Sequence, residues 1–273
     1  VAKDIRVTSR NARFQQWQAV LTNRTKRQRS GEFLVQGVRP ITLAVENKWP
    51  IRALLYNTDT ALSRWAVDLL ETVDTLRVEM APELLHELGE KADRTPELIA
   101  VVGLQPDDLS RLDIRGDFLG LAFDRPSSPG NVGSLVRSVD AFGGHGVIVT
   151  GHAADPYDPK AVRSSTGSLF STPVVRVPSH RDVLDWVGSV RQNGSPLKVV
   201  GTDEHGDLAV TDYDFTAPTL IVIGNETTGL SAGWREACDH MLSIPMSGSA
   251  SSLNAANAGT VVLYEAARQR QRM

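Results

Sequence analysis

Along residues 11–103 the apolar positions keep changing period, and each change marks an element. A helical pattern over about Asn11 to Thr22 is followed by a strand pattern in "EFLVQG" (32–37) and a helix in "VRPITLAVEN" (38–47). Strand "IRALLY" (51–56), helix "ALSRWAVDLLET" (61–72), strand "TLRVEM" (75–80), helix "PELLHELGEK" (82–91) and strand "ELIAVVG" (97–103) continue the rhythm. Strands separated by helices of this length imply βα units and a covered, largely parallel sheet. The polar stretch "LQPDDLSRLDIRGD" (104–117) then breaks the pattern. It sets a first domain at 1–105, a linker at 106–116 and a second domain at 117–273.

The second domain repeats the α/β order with different punctuation. Strand "FLGLAF" (118–123) leads through "DRPSSPGNVG" into helix "SLVRSVDAFG" (134–143), and strand "GVIVTG" (146–151) leads into a helix at 158–170. After "PVVRV" come helix "RDVLDWVGSVRQ", strands "LKVVGT" and "TLIVIG", helix "SAGWREACD", strand "MLSIPM" (241–246) and a last helix from about Ser252. Gly151, Gly201, Gly224 and Gly248 sit at strand exits, where ligands of open parallel sheets come close to the backbone. Between "IPM" and the last helix lies "SGSASSLN", a run of small polar residues between segments that read as buried. Each buried backbone group left unpaired there would cost about 1–3 kcal/mol, so water or a ligand must pair them.

Composition narrows the class. The chain has 273 residues, 41% of them hydrophobic, which suits a globular protein with real cores. No run of about 18 apolar residues occurs and the N-terminal residues lack a signal-type apolar stretch, so the expectation is a cytoplasmic protein without a membrane span. Cys238 is alone and the six His are scattered, which offers no disulfide and no zinc-type ligand set, hence no metal.

Charge is unevenly distributed. Residues 1–39 hold nine basic residues, Lys3 among them, against Asp4 and Glu32; that is +7 in a chain of net −3, leaving −10 elsewhere. A basic arm on an acidic body is the asymmetry expected where one end meets a polyanion. Arg24, Lys26, Arg27 and Arg29 of "RTKRQRS", with Arg39, are the candidate phosphate contacts of a nucleic acid. The plainer alternative is a solvated helix face rich in Arg.

No P-loop, no dinucleotide-type glycine fingerprint and no G-x-S-x-G elbow is present, which removes the main support for NTPase, hydride-transfer and hydrolase readings. Three segments at strand exits remain. One contains Asn131, Gly133 and Arg137; the next contains Gly224, Asn225, Glu226, Gly229 and Leu230; the last contains Ile244, Pro245, Met246, Ser252, Leu253 and Asn254. Singly, each could be an ordinary cap or turn.

Together and in this order they resemble the three motifs of the SpoU family of ribose 2'-O-methyltransferases, within the SPOUT class. The resemblance covers 116–273, and "GEFLVQGVRPITLAVENKWPIRALLY" looks like the L30e-like substrate-binding domain that often precedes that catalytic domain. Many relatives have Asp-Pro before the first motif, where this chain has Ser128, Pro129, Gly130 and Asn131. The resemblance implies an α/β fold whose C-terminal domain has a parallel sheet and a deep trefoil knot, preceded by the smaller L30e-like α/β domain.

It further implies S-adenosylmethionine as cofactor, held near Thr202, Gly224, Asn225, Ile244, Met246, Ser252 and Leu253. Arg137, Asn131, Glu226 and Asn254 are the implied catalytic set. Arg137 acts there either on the target hydroxyl or by gripping the adjoining phosphate, and the second role fits an arginine that deprotonates only at high cost. Relatives are homodimers with a shared active site, and "TVVLYEAA" in the last helix is a candidate seam. The motif wording looks most like the actinomycete antibiotic-resistance methyltransferases that modify a uridine ribose of large-subunit 23S rRNA. A housekeeping tRNA or rRNA methyltransferase, or a non-catalytic RNA-binding assembly factor, stands as the alternative.

Overall fold

A computed structural model describes residues 4–59, 61–89 and 95–271. Lys3 and the end of the helix drawn to Lys91 lie outside the described residues. In chain order the elements begin with β1 (Asp4–Val7), α1 (Ala12–Thr22), α2 (Arg24–Ser30), β2 (Glu32–Gln36), α3 (Val38–Glu46), β3 (Ile51–Tyr56), α4 (Arg64–Thr72), β4 (Leu76–Met80), α5 (Pro82–Leu88) and β5 (Leu98–Gly103). They continue with β6 (Leu119–Asp124), α6 (Pro129–Ala141), β7 (Gly146–Thr150), α7 (Pro159–Ser165), β8 (Val174–Val177), α8 (His180–Gln192), β9 (Lys198–Thr202) and β10 (Leu208–Ala209). The last are β11 (Thr219–Ile223), α9 (Ala232–Ala237), β12 (His240–Ser243) and α10 (Ala255–Arg270).

Two compact units result: Val1–Gln105 with Tyr157–Ser171, and Pro106–Pro156 with Thr172–Met273. This division differs from the sequence reading in two places, for identifiable reasons. Tyr157 and Phe170 pack into an aromatic cluster with Phe33 and Trp49, at ring separations of 4.9–6.5 Å, and Trp49 Nε1 donates to the Phe170 carbonyl at 3.0 Å. That cluster claims 157–171 for the first unit. The stretch 106–116 belongs to the second unit, where buried Leu112 joins a hydrophobic core and Arg111 donates to the Val174 carbonyl at 3.0 Å.

The first unit carries a five-stranded sheet of order β1-β4-β3-β5-β2. It is mixed, not largely parallel, because β5 runs antiparallel to both β2 and β3. All six β5 residues are buried, and such an unbroken apolar run suits a central strand of either direction, so the pattern carries no sign of its polarity. The segment 24–30, read as an arm, is the helix α2. Asn23 caps it by accepting from Lys26 N at 3.1 Å, and Gly31 ends it in the left-handed region at φ 68°.

The second unit has a seven-stranded, wholly parallel sheet of order β10-β12-β9-β11-β6-β7-β8. Residues of alternating parity serve its two faces. Ala122, Ile148, Leu220 and Val222 pack with Val183, Val187 and Trp234 of α8 and α9. On the other face α10 lies against α6 and the sheet so closely that a Cβ on Gly259 would stand 2.5 Å from Leu135 and 3.3 Å from Ile223. Arg270, in the last turn of α10, donates to the carbonyls of Phe215, Ala217, Phe118 and Asp117 and so closes the bottom of the unit. Cys238 packs with the α8/α9 core; burial first, and Asp239 second, push its thiol up to about 12, so it is a small apolar side chain in practice.

Among the element boundaries that move relative to the sequence reading, three lie beside the site. Helix α6 starts at Pro129, because Ser128 caps it and proline suits the first helical position, and this brings Asn131 inside the first turn. Strand β12 stops at Ser243, since Pro245 has no N–H to pair and restricts Ile244 before it. Helix α10 starts at Ala255 because the Asn254 side chain accepts from Ala256 N at 2.9 Å and Asn257 N at 3.3 Å.

Candidate active site

The exits of β6, β9, β11 and β12 lie side by side at the carboxyl edge of the parallel sheet, where ligands of such sheets bind. After β11 the chain turns back on itself. Asn225 and Gly229 exchange backbone hydrogen bonds of 3.1 and 3.0 Å, and Asn225 Oδ1 accepts from the backbone N–H of Thr227 and Thr228. The turn closes over Gly224 so tightly that a Cβ there would meet the Gly229 carbonyl carbon at 2.4 Å, so only glycine fits. Asn225 Nδ2 also donates to the Arg125 carbonyl at 2.6 Å, which binds the β11 exit to the β6 exit.

Glu226 then reaches the start of α6. Its carboxylate accepts from Ser127 N (2.8 Å), Ser127 Oγ (2.9 Å), Ser128 N (3.0 Å) and Asn131 Nδ2 (3.0 Å). Partial burial alone would raise its pKa, but the Ser127 and Asn131 hydrogen bonds outweigh it and hold the carboxyl below the ordinary value. An anion at a helix N-terminus is favoured as well. Asn131 in turn accepts from Asn254 Nδ2 at 3.2 Å, so Asn254, Asn131 and Glu226 form one chain of side chains joining α10, α6 and the β11 exit.

Beside this network lies a cleft of about 470 Å³, within the usual size of small-molecule sites. Thr202, Gly224, Asn225, Ile244, Met246, Ser252 and Leu253, all named from the sequence, line it together with Glu226. Met246 and Leu253 are each 40% exposed, which leaves apolar surface open in the cleft wall. The stretch 244–254 has no regular structure and is largely exposed, so its small polar residues form the open side of the cleft. Three charged lining residues escaped the sequence reading: Asp203, Glu204 and Arg235. Asp203 pairs with Arg235 at 2.5 Å; burial opposes its ionisation, but the His205 N–H and the Arg235 guanidinium prevail and lower its pKa. The signal for Asp203 was its place directly after a strand end; Arg235 had none.

Arg137 stands apart from Asn131, Glu226 and Asn254. Six residues beyond Asn131 on α6, it is turned about a third of a revolution around the helix, and it is exposed with no hydrogen bond or ion pair among the described residues. The basic set divides too. Lys26, Arg29 and Arg39 are exposed and Arg24 is half-buried, whereas Arg27 is 2% exposed. Arg27 Nη1 donates to the carbonyls of Val20 (2.9 Å) and Leu21 (3.2 Å), and the guanidinium pairs with Asp158 at 3.6 Å. Arg27 is therefore a strut inside the first unit and leaves the list of surface phosphate contacts.

The SpoU L30e-like domain model matches residues 11–100 and the SpoU rRNA Methylase family model matches 119–264. The chain belongs to the SpoU rRNA methylase family. The 23S rRNA (uridine(2479)-2'-O)-methyltransferase of Streptomyces viridochromogenes is 66% identical over 97% of this chain and 92% of its own length. The crystal structure of the SpoU methyltransferase AviRb from Streptomyces viridochromogenes in complex with AdoMet superposes with a TM-score of 0.93 at 65% identity, over 96% of this chain and 99% of that one. An AdoMet-bound rRNA methyltransferase from Sinorhizobium meliloti, 26% identical, matches with a TM-score of 0.84 over 97% and 98% of the two chains. As expected for a SpoU member, an L30e-like domain precedes a methylase domain with a parallel sheet. Among the described residues no helix is long and apolar enough to cross a membrane, and no group of three or more His, Cys, Asp or Glu could hold a metal ion.

Proposed function

We propose that this SpoU protein methylates the ribose 2'-hydroxyl of a uridine in 23S rRNA, using S-adenosylmethionine, as a cytoplasmic homodimer, and that the added methyl group protects the ribosome from an antibiotic. The observation that carries the reading is the convergence of seven residues from positions 202 to 253 on one cleft beside the Asn131–Glu226–Asn254 network.

The cleft suits the cofactor on three counts. Gly224 leaves backbone where a Cβ would block it, Ile244, Met246 and Leu253 offer apolar cover for the two faces of adenine, and Asp203, Glu204 and Glu226 place carboxylates near a ligand that carries a sulfonium and an ammonium. Bound there, S-adenosylmethionine would supply its methyl group to the ribose 2'-oxygen, leaving S-adenosylhomocysteine, with the hydroxyl proton passing to phosphate or water. Glu226 has both oxygens committed to four donors and a lowered pKa, so its part is to hold α6 and Asn131 in place as a permanent anion rather than to take that proton. Asn254 fixes Asn131 from the other side while capping α10.

Arg137 completes the site from a second copy. It lies outside the cleft of its own chain, exposed on α6, and α10, which packs against α6, exposes Val261 and Tyr264. Pairing two copies through these two helices covers the apolar residues and brings each Arg137 toward the other subunit's cleft, where it grips the phosphate beside the target and steadies the developing alkoxide. The trefoil knot belongs to the same proposal, supported by the strand order β10-β12-β9, which sets the last strand between two earlier ones. In the first unit Lys26, Arg29 and Arg39 hold structured RNA. The deciding experiment incubates isolated 23S rRNA with labelled S-adenosylmethionine and locates the alkali-resistant linkage. One labelled uridine ribose is expected; label confined to tRNA moves the substrate, and RNA binding without label ends the enzyme reading.

A further inference from the structure

A second depression, of about 490 Å³, opens on the other side of the β11 exit, lined by Arg125, Ser127, His152, Asn225 and Thr228 among others. It shares Asn225 and Thr228 with the cofactor cleft, so the two are separated by a single turn of chain. Their linings contrast. Asp203, Glu204 and Glu226 face the first, whereas none of the residues lining the second is acidic.

Arg125 is the organised element of this depression. It sits in the left-handed region at φ 50°, an uncommon and costly conformation for a residue with a Cβ. Its Nε and Nη2 hold the carboxylate of Asp124 at 3.2 and 3.1 Å, and Nη2 also donates to the Gly229 carbonyl at 3.3 Å. Asp124 is 3% exposed and has further donors in Thr150 Oγ1 and Ser231 N, so the anchor does not move. Room for the side chain comes from Gly151, φ 73°, where a Cβ would lie 2.8 Å from Arg125 Cγ. Three constraints thus aim one guanidinium, and its Nη1 makes no hydrogen bond to any described residue. Asp124 cancels most of the charge, so what Arg125 offers is a pair of directed N–H donors.

We infer that this depression receives the RNA backbone next to the target ribose, with Arg125 Nη1 donating to a phosphate oxygen and His152 and Thr228 at its rim. The inference rests on the 2'-O-methyltransferase reading. A base is the poorer fit, because the lining has no Phe, Tyr or Trp and its one ring, His152, is exposed at the rim, whereas a phosphate asks only for directed donors. A sugar-phosphate seated here sets its ribose against the 225–229 turn, with the cofactor cleft immediately behind.

The test uses the full chain carrying Arg125→Lys, which keeps a cation for Asp124 but loses the fork, and separately His152→Ala, an exposed position with no structural role. For Arg125→Lys we expect the KM for 23S rRNA to rise about 10-fold, with kcat within about 2-fold and calorimetric affinity for S-adenosylhomocysteine unchanged. Affinity for RNA should fall about 10-fold with the slope of log affinity against log salt unchanged, because lysine keeps the charge and loses only the directed donors. His152→Ala should raise KM about 3-fold with the same kcat. An Arg125→Lys protein with weakened S-adenosylhomocysteine binding and unaltered RNA KM and RNA affinity would make Arg125 a strut of the 225–229 turn and overturn the subsite. If wild type labels no RNA, the methyltransferase reading fails, while the RNA affinities of wild type and variant still judge the depression on their own.

Discussion

Two polar stretches of this chain look alike as sequence and fold in opposite ways. Residues 24–30 and residues 244–254 both interrupt apolar elements with side chains that ask for water. The first becomes a capped helix whose central cation, Arg27, is buried against two carbonyls and Asp158. The second keeps no regular structure, lies open, and lines the cleft with Ile244, Met246, Ser252 and Leu253. The difference is where the backbone finds partners. In 24–30 every residue can join a helix, so hydrogen bonding is local and one side chain is free to turn inward. In 244–254 Pro245 and the glycine and serines offer no helix, and the backbone is left for solvent and ligand.

The sharpest way to break this comparison is through the residue that neither stretch holds. Arg137→Ala should lower turnover by about 10²–10³-fold or more, with affinity for S-adenosylmethionine nearly intact. Mixing that inactive variant with an equally inactive Glu226→Ala protein should restore about a quarter of wild-type activity, because half the dimers are mixed and each of those has one intact site. No recovery on mixing would mean that Arg137 serves its own chain's cleft. Sedimentation of the active enzyme as a monomer at low micromolar concentration would say the same.

Next in size is the division within the basic helix. Arg27→Ala should destabilise the first unit by about 2–3 kcal/mol, since it removes a buried side chain, leaves two carbonyls without a donor and takes the cation from half-buried Asp158. Lys26→Ala and Arg29→Ala should leave thermal stability within about 0.5 kcal/mol and instead each lower the salt slope of RNA binding by about 1. Equal effects on stability from all three would erase the distinction drawn between strut and surface.

How much of this was legible in the sequence depended on whether the signal was local. The helix and strand periods are local, and most elements appear where the pattern indicated, though the last helix begins at Ala255 rather than Ser252 because Asn254 caps it. The inward turn of Arg27 was not, because nothing in "RTKRQRS" says that Asp158, over a hundred residues on, lies beside it. The aromatic cluster that draws 157–171 into the first unit is invisible for the same reason. The direction of β5 was hidden because a fully buried strand reads the same either way. Arg235 and Arg125 carry no motif, and only the strand order brings them to the site.

The smallest expected effect probes what holds the open stretch in place. Asn254, at its end, is tied through Asn131 to the Glu226 carboxylate, so the loop depends on a charge located elsewhere. Glu226→Gln turns one acceptor oxygen into an amide donor facing either the Ser127 or the Ser128 N–H group, and should cost about 1–2 kcal/mol at neutral pH. Because the folded-state pKa of Glu226 lies below the unfolded one, its contribution is complete above about pH 4.5 and is lost as pH falls through the lowered folded value. Thermal melts of both proteins from pH 7 down to 3 should show a stability gap that is constant at the upper end and closes in acid. A gap of the same size at pH 3 as at pH 7 would mean that Glu226 holds the loop by shape alone, and the contrast between a locally satisfied helix and a remotely anchored loop would lose its electrostatic half.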